Sequence, residues 1–206
     1  MRQRVLSALA VLVALALGQV VTDRLDLESK DDPPFLRHAD LGEVAHLTYG
    51  EVEVTDVRPA QFLAPQASDE LARIAGGVFV LVSTKVVATR EPTHFLTARL
   101  VGRDGREYQP SARSTCDAFP SGDTGLPSYT MLCFDVPASA LAGLHFQTSR
   151  GSQNDDSIRG DDMADVDLGI SAADAEEWAS TDAVYLVEPA ALEPFELRTV
   201  TLTEGP

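Results

Sequence analysis

GVFVLVSTKVVAT, residues 77–89, carries the alternation of an extended chain. Val78, Val80, Val82, Val86 and Ala88 fall on one face of a strand, and Ser83, Lys85 and Thr89 on the other. Its length and its density of β-branched residues predict a central strand. Working outward, Val52 and Val54 alternate with Glu51, Glu53 and Thr55, which predicts a half-buried strand with an acidic outer face. Tyr49-Gly50 reads as the turn from an earlier strand near His46 to Thr48. Phe95 to Val101 reads as a strand with Leu96, Ala98 and Leu100 on one side. Asp104-Gly105 then supplies a tight hairpin turn into Arg106 to Tyr108.

Residues 109–128 are rich in Pro, Ser, Gly and Asp and predict a long loop. Tyr129 to Val136 follows as a strand with Leu132, Phe134 and Val136 inward, stopped by Pro137. Ala138 to Gly143 reads as a brief turn before a strand at Leu144 to Thr148. Val166, Leu168 and Ile170 alternate with Asp165, Asp167 and Gly169 as another half-buried strand. Ser171 caps a predicted helix over 172–179, with acids in its first turn. Val184 to Val187 and Phe195 to Leu202 complete the strands. Many short strands and one short helix predict a mainly β protein, an antiparallel β-sandwich spanning 42–203.

The N-terminus has a different character. Arg2 and Arg4 precede an apolar run from Val5 to Val21, within the first 22 residues, and acids open at Asp23. This order reads as a transmembrane anchor or signal helix, with the C-terminus outside the cytoplasm. Seventeen residues at 1.5 Å each reach roughly 25 Å, marginal for a span and long for a signal core. Retention as an anchor is the preferred reading. Cleavage near Ala16-Leu17-Gly18, giving a secreted product, is the alternative. Gln19 stands where a lipid-anchoring cysteine would be needed. Residues 23–41 read as a charged extracytoplasmic stalk.

The chain of 206 residues carries 16 basic and 32 acidic residues, a net charge of −16. Without Arg2 and Arg4, fourteen basic residues face the same 32 acids, leaving −18 outside the membrane. Such a surface disfavours nucleic acid and anionic headgroups, and permits cations or basic protein surfaces as partners. Cys116 and Cys133, the two cysteines, lie in the exported part. An even count in an oxidising compartment predicts one disulfide. Cys133 falls opposite Leu132 and Phe134, so the bridge is expected to pin the 109–128 loop to the outer face of the sheet.

A family resemblance joins these segments. GVFVLVSTKVVATREPTHFLTARLVGRDGREY, followed by YTMLCFDVPASALAGLHF, resembles a bacterial immunoglobulin-like module of unknown function. Such modules occur in exported and lipid-anchored proteins of Gram-positive bacteria, including a secreted mycobacterial antigen. The shared pattern is Gly77 to Val82, Leu100 to Tyr108, Phe134 to Pro137 and Gly143-Leu144, within about 42–150. The resemblance implies an immunoglobulin-like antiparallel sandwich and nothing catalytic. The acidic segment and helix-containing tail from 151 onward depart from it.

Chemistry-bearing motifs are sparse. His38, His46, His94 and His145 are scattered, without an HExxH pair, and no G-x-S-x-G, phosphate loop or zinc cysteine cluster is present. The sequence therefore predicts no catalytic residue, no cofactor and no enzyme. Asn154, Asp155, Asp156, Asp161, Asp162, Asp165 and Asp167 form an acidic cluster dense enough for a hard cation. After Asp155, however, the EF-hand positions hold Ser157 and Arg159. Asp155, Asp156, Asp161 and Asp162 are the calcium candidates, and a solvated loop is the preferred reading. Trp178 reads as a core plug. These features favour a membrane-tethered, non-catalytic binding or scaffolding module for an unknown protein partner in the cell envelope. A secreted calcium- or carbohydrate-binding module and an envelope hydrolase are the alternatives.

Overall fold

The computed structural model describes residues 33–64, 72–111, 116, 119–151, 160–187, 190–194 and 198–199. The apolar run 5–21 lies outside them. Among the described residues, no helix is long and apolar enough to cross a membrane. In chain order the strands are β1 (Phe35–Asp40), β2 (Val44–Leu47), β3 (Gly50–Ala64), β4 (Arg73–Ala88), β5 (Thr93–His94), β6 (Thr97–Val101), β7 (Glu107–Tyr108), β8 (Ser121–Gly122), β9 (Pro127–Val136), β10 (His145–Ser149), β11 (Asp162–Asp167) and β12 (Val184–Leu186). Sheet one runs β1-β11-β10-β6-β7, and sheet two runs β12-β3-β4-β9 with β2 added on β3. The pairs β1 with β11 and β12 with β3 are parallel; the other strand pairs are antiparallel. Among the described residues one α-helix, α1 (Ala172–Trp178), follows β11 and carries the expected capping box between Ser171 and Asp174.

The two sheets face each other across one apolar core. Val78, Val80, Val82 and Val86 of β4 and Leu132, Phe134 and Val136 of β9 meet Ala98 and Leu100 of β6, Phe146 of β10, and Ala164 and Val166 of β11. Phe134 and Phe146 pack edge to face with centroids 6.2 Å apart. Each fully buried Val, Leu or Phe contributes roughly 1.5–3 kcal/mol, so this layer is the main stabilising term. Trp178 is half-buried against it.

The outer face of sheet two is also covered. Phe79 and Leu81 of β4, Met131 and Cys133 of β9, Ala60 and Leu63 of β3, and Val187 form a second apolar cluster. The Cys116–Cys133 disulfide lies within it, with Cα atoms 5.8 Å apart. The bridge thus avoids the central core, as the alternation predicts, yet Cys133 is fully buried in a core of its own.

Several boundaries move. Residues 35–40, expected within the stalk, form β1 and pair with β11 along their whole length. Strand β3 continues to Ala64, past Pro59, because two register shifts bend it and because Pro59 sits where β3 lies between its β2 and β12 partners. Leu96 is exposed and Phe95 takes the buried place, its ring 6.0 Å from that of Tyr49. Strand β11 starts at Asp162 and ends at Asp167. Gly169, at φ +67°, turns the chain out of the strand while Leu168 and Ile170 still reach the core. Within 109–128, Ser121–Gly122 pairs with Thr93–His94. The Asp104-Gly105 hairpin forms as expected, with Gly105 at φ +76°. Of the strand expected at Phe195 to Leu202, Arg198 and Thr199 are described, and both pair with β12.

Reduction of Cys116–Cys133 should lower unfolding free energy by about 3 kcal/mol in the loop-entropy model while the far-ultraviolet β signal persists. Denaturant titrations of oxidised and reduced chain check this; equal midpoints would refute it.

Candidate functional site

The outer face of sheet one carries an ordered row of polar side chains. Ala98, Leu100, Phe146, Ala164 and Val166 take the inner face, so the period of two sends Arg99, Gln147 and Asp165 outward. The register places His38 opposite Asp165, Asp165 opposite Gln147, and Gln147 opposite Arg99. Hydrogen bonds join them across the strands. His38 Nδ1 lies 2.8 Å from Asp165 Oδ2, Gln147 Nε2 donates to Asp165 Oδ1 at 3.0 Å, and Arg99 Nε donates to Gln147 Oε1 at 3.0 Å. Arg99 Nη1 then meets Glu107 Oε1 of β7 at 2.8 Å. The row thus crosses all five strands. An ionised carboxylate only accepts, so Nδ1 of His38 carries the hydrogen, and Nε2 is the acceptor when the ring is neutral. His145 Nδ1 stands 3.5 Å from Asp165 Oδ1, an electrostatic contact without a hydrogen bond.

A second carboxylate closes one end of the sandwich. Asp162 is nearly fully buried, yet four groups meet it. Arg37 Nε and Nη2 both lie 2.8 Å from Oδ1, the Thr48 N–H donates to Oδ2 at 2.7 Å, and Tyr49 Oη donates to the Asp162 carbonyl at 2.6 Å. Arg37 belongs to sheet one and Thr48-Tyr49 to the turn entering β3, so Asp162 ties the two sheets together. Burial opposes ionisation, but the Thr48 N–H and the Arg37 guanidinium outweigh it and hold the carboxyl below its usual range. Burial pushes the Tyr49 hydroxyl up to about 12. Arg150 stacks over the Tyr49 ring at 4.6 Å and pairs with Asp161 at 2.6 Å.

These contacts redistribute the residues singled out in the sequence. Asp161 and Asp162 are each held by an arginine, and Asp165 by His38 and Gln147; Asp155 and Asp156 lie outside the described residues. The acidic cluster is therefore partly dispersed into strand pairs. Among the described residues, no three metal-type side chains are grouped to hold an ion. His46 is exposed, 3.3 Å from Glu51, and His94 is exposed in the small ribbon. Sequence reasoning missed Arg37, Arg99, Gln147 and Arg150 as members of a common framework. Alternation on β6 and β10 points Arg99 and Gln147 outward, but their partners depend on register between distant strands.

A separate depression of about 310 Å³ lies on the outer face of sheet two, where Glu53, Asp56, Ser83, Lys85, Tyr129 and Pro194 line it. Lys85 and Glu53 pair at 3.0 Å, and the buried Ser83 hydroxyl has no hydrogen-bond partner among the described residues.

No protein-family model and no curated protein matches the chain. Three solved structures are similar to it at low identity. An uncharacterized β-sandwich protein from Clostridium difficile 630 is 12% identical, with a TM-score of 0.39, covering 66% of this chain and 97% of its own. The yjhA protein of Bacillus subtilis is 10% identical, with a TM-score of 0.45, covering 62% and 99%. The ycdA protein of Bacillus subtilis subsp. subtilis str. 168, provisionally designated a lipoprotein, is 14% identical with a TM-score of 0.39; the match covers 63% of this chain and 39% of that one. Likeness at this level carries no functional argument.

Asp162→Asn should lower stability by about 1.5–3 kcal/mol at neutral pH, the range for a hydrogen bond to a charged group. Because the folded carboxyl lies below its unfolded value of about 3.9, its stabilisation is present above that pH and lost as pH falls through the folded value. The gap between wild type and variant should therefore begin to narrow below about pH 4 and close as pH falls through the folded value. A gap independent of pH would refute this role.

Proposed function

We propose that the chain is a membrane-tethered extracytoplasmic module of immunoglobulin-like topology that binds a protein partner and performs no catalysis. The observation that carries this reading is the outer face of sheet one. The exposed side chains at the two ends of its ladder, His38 and Glu107, are held by buried Asp165 and by Arg99, so they lose little further freedom when a partner covers them. A net charge of −18 beyond the N-terminal segment favours a basic surface on that partner.

The topological part rests on strand order. β11-β10-β6-β7 packed on β3-β4-β9 matches the G-F-C-C′ and A-B-E arrangement of an immunoglobulin sandwich. Arg2, Arg4 and the apolar run 5–21 support the tether, and the disulfide supports an oxidising compartment. The non-catalytic part rests on how the carboxylates are used. Asp162 and Asp165 are buried and engaged in contacts between strands and sheets.

The test is chemical crosslinking in intact cells, followed by capture of the full chain and quantitation of the co-captured protein. Arg99→Glu, which places a carboxylate beside Gln147 and Glu107, and the milder His38→Ala at an exposed position should each reduce capture severalfold. Thermal unfolding of both variants controls for loss of fold. Capture unchanged in both would remove sheet one as the binding face. Loss on Lys85→Ala alone would move the site to the depression on sheet two.

A further inference from the structure

We infer that the end of the sandwich where the chain enters at Pro34-Phe35 docks on the surface of a zwitterionic lipid bilayer. This rests on the tethered reading above and adds the domain's orientation. The pairings bring the first residue of β1, the first of β6, the first of β9 and the last of β4 to one end. Phe35 lies opposite Asp162, Thr97 opposite Ser149, and Pro127 opposite Val87. Asp162 meets the Thr48-Tyr49 turn there, and the Phe95 N–H donates to the Pro120 carbonyl, extending the β5-β8 ribbon at the same end.

Large apolar side chains point outward around this end. Phe35 is 60% exposed, Leu126 52%, Phe119 47% and Leu96 45%. Leu96 and Phe119 flank the Phe95–Pro120 bond as neighbours on paired segments. Exposed apolar residues scattered singly need no explanation, but four gathered at one end of an acidic domain do. The chain itself indicates the occupant. Thirteen residues separate the apolar run 5–21 from Phe35, so a tether through that run joins the domain at this end. The local charge agrees, because Arg37 with Asp162 and Arg150 with Asp161 cancel in pairs. The acidity of the remainder opposes anionic lipid, which selects a zwitterionic interface.

The experiment uses the full chain reconstituted in phosphatidylcholine vesicles. In a Trp178→Phe background, Leu126→Trp places a fluorophore at this end, and Leu41→Trp places one at the opposite end on a side chain of comparable exposure. Lipid brominated near the headgroup should quench the Leu126→Trp chain about twofold, as expected for an indole at the interface, and leave the Leu41→Trp chain unchanged. Adding Leu96→Ser and Phe119→Ser should weaken that quenching while the chain still floats with the vesicles. Flotation with equal quenching at both ends, or with none at either, would overturn this inference and leave the tether intact. Failure of the full chain to float would overturn the tether and this inference together.

Discussion

Strand β4 is desolvated on both faces, and the rest of the molecule is arranged around that constraint. Val78, Val80, Val82 and Val86 require a cover on one side, which sheet one supplies through Leu100, Phe146 and Val166. Phe79 and Leu81 require another on the opposite side, and a simple two-layer sandwich would leave them wet. Here Leu63 of β3 and Met131 and Cys133 of β9 flank them on the same face, Val187 packs with them, and the disulfide holds Cys116 against that layer. Toward the other end of β4, the outer face carries Ser83 and Lys85, and the cover gives way to the polar depression.

Sheet one meets a different constraint, because β11 brings carboxylates into the fold. An unpaired buried carboxylate would cost several kcal/mol, so each one needs partners that the topology must deliver. Arg37 and the Thr48 N–H serve Asp162, while Gln147 and His38 serve Asp165. Both arrangements draw on β1. The charged segment after Pro34 is thus part of the fold, and the parallel pairing of β1 with β11 brings its arginine and histidine to those aspartates.

The strands that alternate cleanly were legible in the sequence. Gly77 to Ala88, Tyr129 to Val136 and the Val52/Val54 pair keep a period of two with β-branched or aromatic residues inward, and the structure places those residues in the core. The capping box at Ser171 and the Asp104-Gly105 turn are local and were equally readable. What failed depended on distant partners. FLRHAD resembled a solvated stalk because its arginine and histidine are polar, and only β11 reveals that they are paired. Asp161, Asp162 and Asp165 read as part of one acidic, solvated segment because sequence proximity shows the charges but not the Arg150, Arg37, His38 and Gln147 that meet them. Leu96 and Phe95 exchanged roles because β6 begins at Thr97, so both lie before the strand and outside its alternation, while Ala98 and Leu100 keep the inner face. The polar ladder required four cross-strand registers at once, and no local signal encodes those.

Native-state hydrogen exchange on the oxidised and the reduced chain tests the central role of β4 most directly. If β4 is the doubly buried spine, amides from Val78 to Val86 should be among the slowest and exchange only through global unfolding. After reduction they should remain slowest, with protection lowered by the same free energy as global stability. Exchange at those amides as fast as at Leu36 to Ala39 of the edge strand β1, in the oxidised chain, would contradict the account.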